Sequence, residues 1–183
     1  MDDIAVRPLQ TVDIPLMSKW LQNEELLEFY EGRDRPHDES MVKHRFFRNE
    51  AHVERLIIVY RYRPIGYCQV YEIDQETQAC YGYNDEVATF GMDQFIGDPS
   101  YWNRGIGQEF NAFMIERMAQ HVARSRFVVD PREKNERAIA CYTKCGFEKT
   151  RHLPQHELHE GIWENCWLMV REIMPVPKEA ACE

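Results

Sequence analysis

Two glycines separated by a single residue stand where a strand-like segment runs into a predicted helix, in Arg104–Gln108. Glycines at such a junction let unobstructed backbone N–H groups point at an anion at the positive end of the helix dipole. The segment therefore predicts a phosphate cradle, and the alternative is an ordinary glycine turn before a helix. It contains neither the Gly-Lys-Ser/Thr of a nucleoside-triphosphate site nor the Gly-x-Gly-x-x-Gly of a dinucleotide site, so ATP and NAD are not favoured.

An amide and a phenol follow farther along the chain, at Asn135 and Tyr142. Seven residues are two helical turns, so both side chains project from nearly the same face of a helix and can line one groove. The alternative is structural: Asn135 caps the helix, and Tyr142 is a half-buried aromatic of the core. Spacing alone leaves both interpretations open.

The overall composition narrows the classes of function. The chain has 183 residues, a net charge of −9, 44% hydrophobic residues and 12% aromatic residues. This length fits one globular domain, and its acidity disfavours binding to nucleic acid or to an anionic membrane surface. The chain has no run of eighteen apolar residues and starts with an acidic Met-Asp-Asp, so we expect a cytoplasmic protein.

Two sets of residues could suggest metals or disulfides, and we predict neither. The six cysteines are irregularly spaced, which favours reduced thiols, and Cys141 and Cys145 lack a second pair at ligand spacing. A His/Glu-rich run lacks the His-Glu-x-x-His pattern of zinc hydrolases, and Pro154 interrupts any helix that could align its members. We expect a solvated connection between strands there, with these residues: His152, His156, Glu157, His159 and Glu160.

The chain must position these groups on a mixed sheet. Apolar spacing predicts one helix near residues 14–21, another near 41–46, a long one that follows the two glycines, and one over about 135–145. Arg63-Pro64 predicts a hairpin turn. Strands are predicted over 4–7, 55–62, 65–73, 89–96, 127–129, 147–153 and 162–171. The order predicts an α/β (α+β) fold with a central strand–helix–strand crossover and flanking helices.

Taken together, Arg104–Gly107 and Asn135–Phe147 resemble the acetyl-CoA-binding motifs of the GNAT N-acetyltransferase superfamily. Arg63–Tyr71 and Gly91–Gln94, with shorter stretches at Trp20-Leu21 and Glu28–Tyr30, are similar to aminoglycoside 6′-N-acetyltransferases. The resemblance runs from Ile4 to about Arg171. It implies a mostly antiparallel GNAT-like sheet. One position departs from the pattern, because Trp102 stands where the superfamily usually has Gln or Arg.

The resemblance implies a set of roles toward acetyl-CoA. Strand backbone at Phe95 and Ile96 would pair with the pantetheine amides as an added strand does. Asn135 would contact the pantetheine arm, and Tyr142 would hydrogen-bond to or protonate the departing thiolate. The pyrophosphate would be held by backbone N–H groups of Arg104, Gly105, Ile106, Gly107 and Gln108.

The acceptor side is implied in the same way. Asp93 would either remove the proton of the attacking ammonium, directly or through water, or only orient it electrostatically. The remaining groups would hold a polycationic acceptor through carboxylates at Glu86 and Asp130 and through walls formed by Tyr30, Gln69 and Tyr71.

The sequence thus predicts an acetyl-CoA-dependent transferase without a metal, acting by direct attack of the 6′-amino group of an aminoglycoside and so conferring resistance. Alternatives are another amine, such as a siderophore precursor, a polyamine or a protein lysine, or a noncatalytic binding module. We expect one domain over residues 1–172, a C-terminal tail over 173–183, and a monomer or homodimer.

Overall fold

The computed structural model describes residues 3–121 and 124–174. Within them, seven strands form a single sheet in the order β1-β2-β3-β4-β5-β7-β6. The β4–β5 pair is parallel and the other neighbouring pairs are antiparallel. The strands are β1 (Ile4–Pro8), β2 (Val53–Tyr60), β3 (Arg63–Glu72), β4 (Ala88–Ile96), β5 (Ser125–Val129), β6 (Glu148–His159) and β7 (Ile162–Ile173). The predicted mixed, mostly antiparallel fold is confirmed.

Helices cover both faces of this sheet. They are α1 (Ile14–Trp20), α2 (Glu24–Leu27), α3 (Glu39–Phe46), α4 (Gln75–Cys80), α5 (Ile106–His121) and α6 (Glu136–Lys144). Apolar side chains of α1, α2 and α3 pack on one face around Tyr67 and Phe95. Those of α5 and α6 pack on the other face around Met92 and Phe127. Because side chains alternate along a strand, successive residues of β4 contribute to opposite layers.

The hairpin between β2 and β3 differs from the prediction. Its turn consists of Arg61 and Tyr62, which have φ values of +47° and +65°, whereas Pro64 lies within β3. Two consecutive residues of positive φ form the type I′ turn that matches the twist of a two-residue hairpin. Proline is tolerated in β3 beside an irregularity of register between Ile58 and Val59.

Other boundaries were also wrong. Two helices were predicted after β1, but α2 is a third, and α4 was missed because it is short and polar, with Asp74 capping its first turn. Strand β6 continues past Leu153 to His159, so the His/Glu-rich run, apart from Glu160, lies in a strand. Strand β7 includes Ile173, which is buried and was assigned to the tail. Val122, Cys182 and the rest of the predicted tail from residue 175 lie outside the described residues.

The parallel pair at the centre of the sheet opens into a fork. Strands β4 and β5 pair only from Ala88–Gly91 to Ser125–Val128. Strand β4 continues to Ile96, and β5 ends at Val129. The second half of β4 therefore has β3 on one side and an open groove on the other, beneath the start of α5.

Candidate active site

A cleft of about 1130 Å³ opens where β4 and β5 separate. The second half of β4, the start of α5 and one face of α6 form its walls. The cleft brings together most of the predicted site residues: Tyr30, Asp93, Phe95, Ile96, Gly105, Ile106, Gly107, Gln108, Asp130, Asn135 and Tyr142. A groove with polar groups converging on an otherwise apolar strand is typical of a small-molecule site.

The register of β3 against β4 decides which backbone groups face this cleft. The Gly97 N–H donates to the Ile65 carbonyl and the Ile73 N–H to the Thr89 carbonyl, so odd-numbered residues of β4 bond to β3. Even-numbered residues, including Gln94 and Ile96, point their N–H and C=O the other way. The prediction for the Phe95 backbone is therefore wrong: its hydrogen-bonding groups face Tyr67, and Gln94 takes its place on the cleft side.

One of the cleft-facing carbonyls already has a partner. The Trp102 indole Nε1 donates to the Ile96 carbonyl oxygen over 2.8 Å. This hydrogen bond ties the end of β4 to the segment that leads into α5. The Ile96 N–H is unaffected by it, because the indole is a donor only.

Backbone conformation at the start of α5 makes a shallow cradle. Gly105 has a φ of +81°, and a Cβ placed there would meet no atom within 4 Å, so the backbone is open to the cleft. Only glycine adopts this region without strain. The Gln108 N–H donates to the Gly105 carbonyl over 2.9 Å, so Gln108 is already engaged in the first turn. Fewer backbone N–H groups are therefore free to bind an anion than the five predicted over Arg104–Gln108.

A stacked cation lies beside the cradle, and sequence reasoning missed it. The Arg137 guanidinium lies 3.9 Å from the centroid of a Trp102 ring and 4.4 Å from that of Phe29. Both Trp102 and Arg137 line the cleft. Burial lowers the pKa of Arg137, yet a guanidinium keeps its charge at any physiological pH. Trp102, which departs from the family pattern, thus holds a cation from α6 in the cleft.

Both interpretations of Asn135 and Tyr142 describe part of what the structure shows. The Asn135 Oδ1 accepts from the Ala138 N–H over 3.1 Å and caps α6, while the residue also lines the cleft. Tyr142 is 8% exposed and packs against Phe147, and its hydroxyl accepts from the Gln94 Nε2 over 3.3 Å. Burial raises the pKa of Tyr142, so the phenol stays protonated.

Asp93 lines the cleft, and its carboxylate is held by side chains of β3. Its Oδ2 accepts from the Gln69 Nε2 over 2.7 Å, and its Oδ1 lies 3.4 Å from the Tyr71 hydroxyl. The Tyr67 hydroxyl donates in turn to the Gln69 Oε1 over 3.0 Å. Burial raises the pKa of Asp93 to about 6, against the opposing effect of the Gln69 hydrogen bond, and the negative charge of Asp130 adds to the rise.

A second cavity of about 400 Å³ meets the cleft at Asp93. Tyr30, Glu31 and Asp93 line both spaces, and Gln69 and Tyr71 line the second. The Tyr30 ring lies 4.8 Å from that of Phe95, centroid to centroid. An acceptor in the second cavity could therefore reach Asp93 from the side opposite the α5 cradle.

The two other carboxylates predicted to bind the acceptor, Asp130 and Glu86, lie in different places. Asp130 lines the cleft, and its Oδ2 lies 2.9 Å from the His156 Nε2, an interaction that raises the pKa of His156. Glu86 is exposed, precedes β4 at its far end, and lines neither cavity. The sequence could not show this, because it does not specify how the loop before β4 runs. Glu31 and Glu157, which were not predicted for the acceptor, line the cleft instead.

The histidines of the His/Glu-rich run lie in strand β6, not in the solvated connection that was predicted. His152 is exposed near Glu133, and His159 is buried. Among the described residues, no group of three or more potential metal ligands occurs. The five described cysteines, Cys68, Cys80, Cys141, Cys145 and Cys166, are free thiols. Across the same part of the chain, no helix combines the length and the apolar character needed to cross a bilayer.

Comparisons with known proteins agree with this fold. The family of the acetyltransferase (GNAT) domain matches residues 10–154. Aminoglycoside N(6′)-acetyltransferase type 1 of Klebsiella pneumoniae is 23% identical over 151 residues, which cover 81% of this chain and 75% of that protein.

Two solved structures share the fold. Aminoglycoside acetyltransferase AAC(6′)-Ib in complex with coenzyme A and kanamycin superposes with a TM-score of 0.68 at 21% identity, covering 92% of this chain and 94% of its own. Spermidine N-acetyltransferase of Vibrio cholerae, in complex with CoA and spermine, reaches a TM-score of 0.74 at 13% identity, with coverages of 94% and 97%.

Proposed function

The chain belongs to the GNAT acetyltransferase family, and we propose that it transfers the acetyl group of acetyl-CoA to the 6′-amino group of an aminoglycoside. The observation that carries this proposal is the position of Asp93. It is a hydrogen-bonded carboxylate with a pKa raised to about 6, set between a cofactor-sized cleft and a second cavity. A general base is most effective when its pKa lies near the working pH.

The donor fits the larger cleft. Backbone groups of Gln94 and Ile96 offer an edge to which the pantetheine amides can add as a strand does. The N-terminal turn of α5, with Gly105 at its start, offers N–H groups and a helix dipole to the pyrophosphate. Arg137, stacked on Trp102, adds a fixed positive charge that compensates for the side-chain donor absent at position 102.

The reaction needs a proton removed from the acceptor and a proton delivered to the leaving sulfur, and the cleft has a residue for each. Asp93 accepts a proton from the acceptor ammonium, so that the neutral amine attacks the thioester carbonyl carbon. As the C–N bond forms, the nitrogen gives up a second proton to solvent, the C–S bond breaks and the sulfur leaves with the electron pair. Tyr142 donates its proton to this sulfur and is reprotonated from solvent. No covalent intermediate on the protein is required.

The acceptor side favours a polycation. Glu31, Asp130 and Glu157 line the cleft around Asp93, and Tyr30 and Tyr71 provide flat walls. Several carboxylates around one site attract and orient a molecule that carries several ammonium groups. The aminoglycoside N(6′)-acetyltransferase relative supports the choice of an aminoglycoside among such molecules. Antibiotic resistance is the proposed consequence.

The deciding experiment measures free CoA thiol released from acetyl-CoA as a function of added amine. The panel contains kanamycin, spermidine, a lysine peptide and an N-hydroxylated diamine as a siderophore precursor. We expect kanamycin to give the highest kcat/KM, with 6′-N-acetylkanamycin as the product by mass spectrometry. A higher kcat/KM for another amine would assign that acceptor instead. No amine-dependent thiol release from any of them would favour a noncatalytic binding module.

A further inference from the structure

We propose that Gln94 and Asn111 are positioning residues that fix the direction in which Tyr142 donates its proton. The proposal rests on the role given above to Tyr142. It assigns a function to the side chain of Gln94, of which the proposed function uses only the backbone. Gln94 and Asp93 are neighbours on β4 but face opposite layers of the fold.

The chain of hydrogen bonds begins at a group whose role is unambiguous. The carbonyl of Gly107, in the first turn of α5, can only accept. The Asn111 Nδ2 lies 2.7 Å from it, and Asn111 is fully buried. The Asn111 amide must therefore point its NH₂ toward Gly107, and a second contact of the same Nδ2, 3.6 Å from the Cys141 Sγ, agrees with this orientation.

The orientation of the Asn111 amide in turn determines that of the Gln94 amide. With its NH₂ turned toward Gly107, Asn111 presents its Oδ1, an acceptor, to the Gln94 side chain. The group facing it must then be the Gln94 NH₂, whose Nε2 lies 3.0 Å away. The same Nε2 lies 3.3 Å from the Tyr142 oxygen. One hydrogen of the Gln94 NH₂ serves Asn111, and the other is directed at Tyr142.

The consequence concerns the hydrogen of the Tyr142 hydroxyl. Because the phenol oxygen accepts from Gln94, its own hydrogen does not point at Gln94 and is available to the cleft, where the sulfur of the donor would leave. A reversed Gln94 amide would take up that hydrogen as an acceptor. Burial, which raises the pKa of Tyr142, keeps the proton on the phenol until the thiolate forms.

The geometry also links two functions of the site. Gly107 lies in the turn proposed to hold the pyrophosphate, and a Cβ on it would contact the Cys141 Sγ at 3.4 Å, so this turn is packed closely on α6. A chain of three hydrogen bonds thus connects the cradle to the proton donor. Buried polar networks of this kind hold a single arrangement when every member is satisfied.

The test separates positioning from structural support. Gln94→Met keeps the length of the side chain and removes its donor, whereas Gln94→Glu presents an acceptor to the phenol. The double variant with Tyr142→Phe closes a double-mutant cycle. With kanamycin and saturating acetyl-CoA, we expect Tyr142→Phe to lower kcat about 100-fold. We expect Gln94→Met to lower it about 10-fold, and Gln94→Glu at least as much.

If Gln94 acts through the phenol, Gln94→Met should lower kcat by less than about 2-fold in the Tyr142→Phe background. A control is Gln78→Glu, which changes a buried amide bonded to Ile73 and Thr89 outside both cavities. Like Gln94→Glu, this variant introduces a buried carboxylate into the fold. We expect its kcat per folded molecule to equal that of the wild type.

A second measurement needs no acceptor. Ultraviolet thiolate absorbance of bound CoA, titrated with pH, reports the pKa of its thiol, and the same titration of free CoA gives the reference value. We expect the bound value to lie below this in the wild type, because the phenol donates to the thiolate, and to rise by about one unit in Gln94→Glu. Isothermal calorimetry establishes that CoA is bound in each variant.

The outcomes are distinguishable. Two results would overturn the positioning role and leave the proposed function standing. One is a kcat that still falls about 10-fold when Gln94→Met is added to Tyr142→Phe, and the other is a CoA thiol pKa that does not change in Gln94→Glu. An unchanged kcat in Tyr142→Phe would show that Tyr142 is not the proton donor, and the proposed role of Gln94 would fall with it. Failure of wild-type protein to bind CoA would overturn the proposed function, whatever the Gln94 variants do.

Discussion

Gln69 and Asp93 face each other across the β3–β4 pair, and the Gln69 amide donates to the Asp93 carboxylate over 2.7 Å. Two opposing effects act on this carboxylate. Burial and the nearby charge of Asp130 favour its protonated form, while the hydrogen bonds from Gln69 and Tyr71 favour the ionised form. The balance leaves the pKa of Asp93 at about 6, so the carboxylate is mostly ionised at neutral pH and can still take a proton.

The first prediction concerns pH. Because the ionised Asp93 carboxylate is the proposed base, we expect kcat/KM to be half-maximal near the Asp93 pKa of about 6, to level off about one pH unit above it, and to fall about tenfold per unit well below it. Asp93→Asn should lower kcat about 100-fold or more and change the Kd of acetyl-CoA less than about 2-fold. Glu86→Gln, which neutralises an exposed carboxylate outside both cavities, is the control. Turnover by Asp93→Asn within a few-fold of wild type would contradict the proposed role.

The ionised Asp93 carboxylate should lower the free energy of unfolding. Its pKa is raised in the folded state above its usual value of 3.8, so the ionised form is disfavoured by folding, fully so above pH 6 and not at all below about pH 4. We expect Asp93→Asn to raise the free energy of unfolding by about 1–3 kcal/mol at pH 7. Urea unfolding at pH 7 and pH 4 measures this gain, which should shrink toward zero at the lower pH. A loss of stability at pH 7 would show that burial does not dominate.

Removing the amide that holds Asp93 should move its titration. The Gln69 hydrogen bond favours the ionised form, so Gln69→Leu should raise the pKa of Asp93 further and shift the acid limb of kcat/KM upward by about one unit. The pH–rate profile measures the shift. Gln22→Leu, which removes an amide bonded to Ser18 outside both cavities, should leave the profile unchanged. An unshifted limb in Gln69→Leu would assign it to another group.

Two glycines of matched conformation allow the cradle to be tested. Gly105 and Gly161 have φ values of +81° and +77°, and a Cβ on either would meet nothing within 4 Å. Either alanine variant should therefore cost about 1 kcal/mol of stability through backbone strain. Only Gly105→Ala should raise the KM of acetyl-CoA, by about tenfold, because its methyl group enters the cradle. Equal KM values in the two variants would place the pyrophosphate elsewhere.

The stacked cation gives a prediction of its own. Arg137→Met keeps apolar contact with Trp102 and removes the charge, so we expect the Kd of CoA to rise about tenfold, with a weaker dependence on salt than in the wild type. Arg61→Met is the control, since Arg61 also lies over an aromatic ring, that of Tyr60, in the β2–β3 turn. Isothermal calorimetry at two salt concentrations measures both. An unchanged Kd in Arg137→Met would leave the guanidinium a purely structural role.

Features that depend on short stretches of chain could be predicted from the sequence. The α5 start at Gly105-Ile106-Gly107 and the Asn135 cap of α6 follow from local conformation and helical spacing. The alternation of apolar residues likewise indicates most strands and the mixed sheet that they form. The hairpin turn at Arg61-Tyr62 escaped prediction because neither residue type signals positive φ.

Only the tertiary structure decided which groups meet. The register of β3 against β4 turns the Gln94 backbone to the cleft and the Phe95 backbone away from it, and a shift of one residue would reverse both. Contacts between distant segments stack Arg137 on Trp102, join Gln94 to Tyr142 and leave Glu86 outside the site. The Asp93 pKa likewise depends on burial and on neighbouring charges brought together by folding. The sequence by itself determined which chemical groups are present and the local backbone that offers them. Long-range packing decided their partners, because desolvation and hydrogen bonding act between residues far apart in the chain.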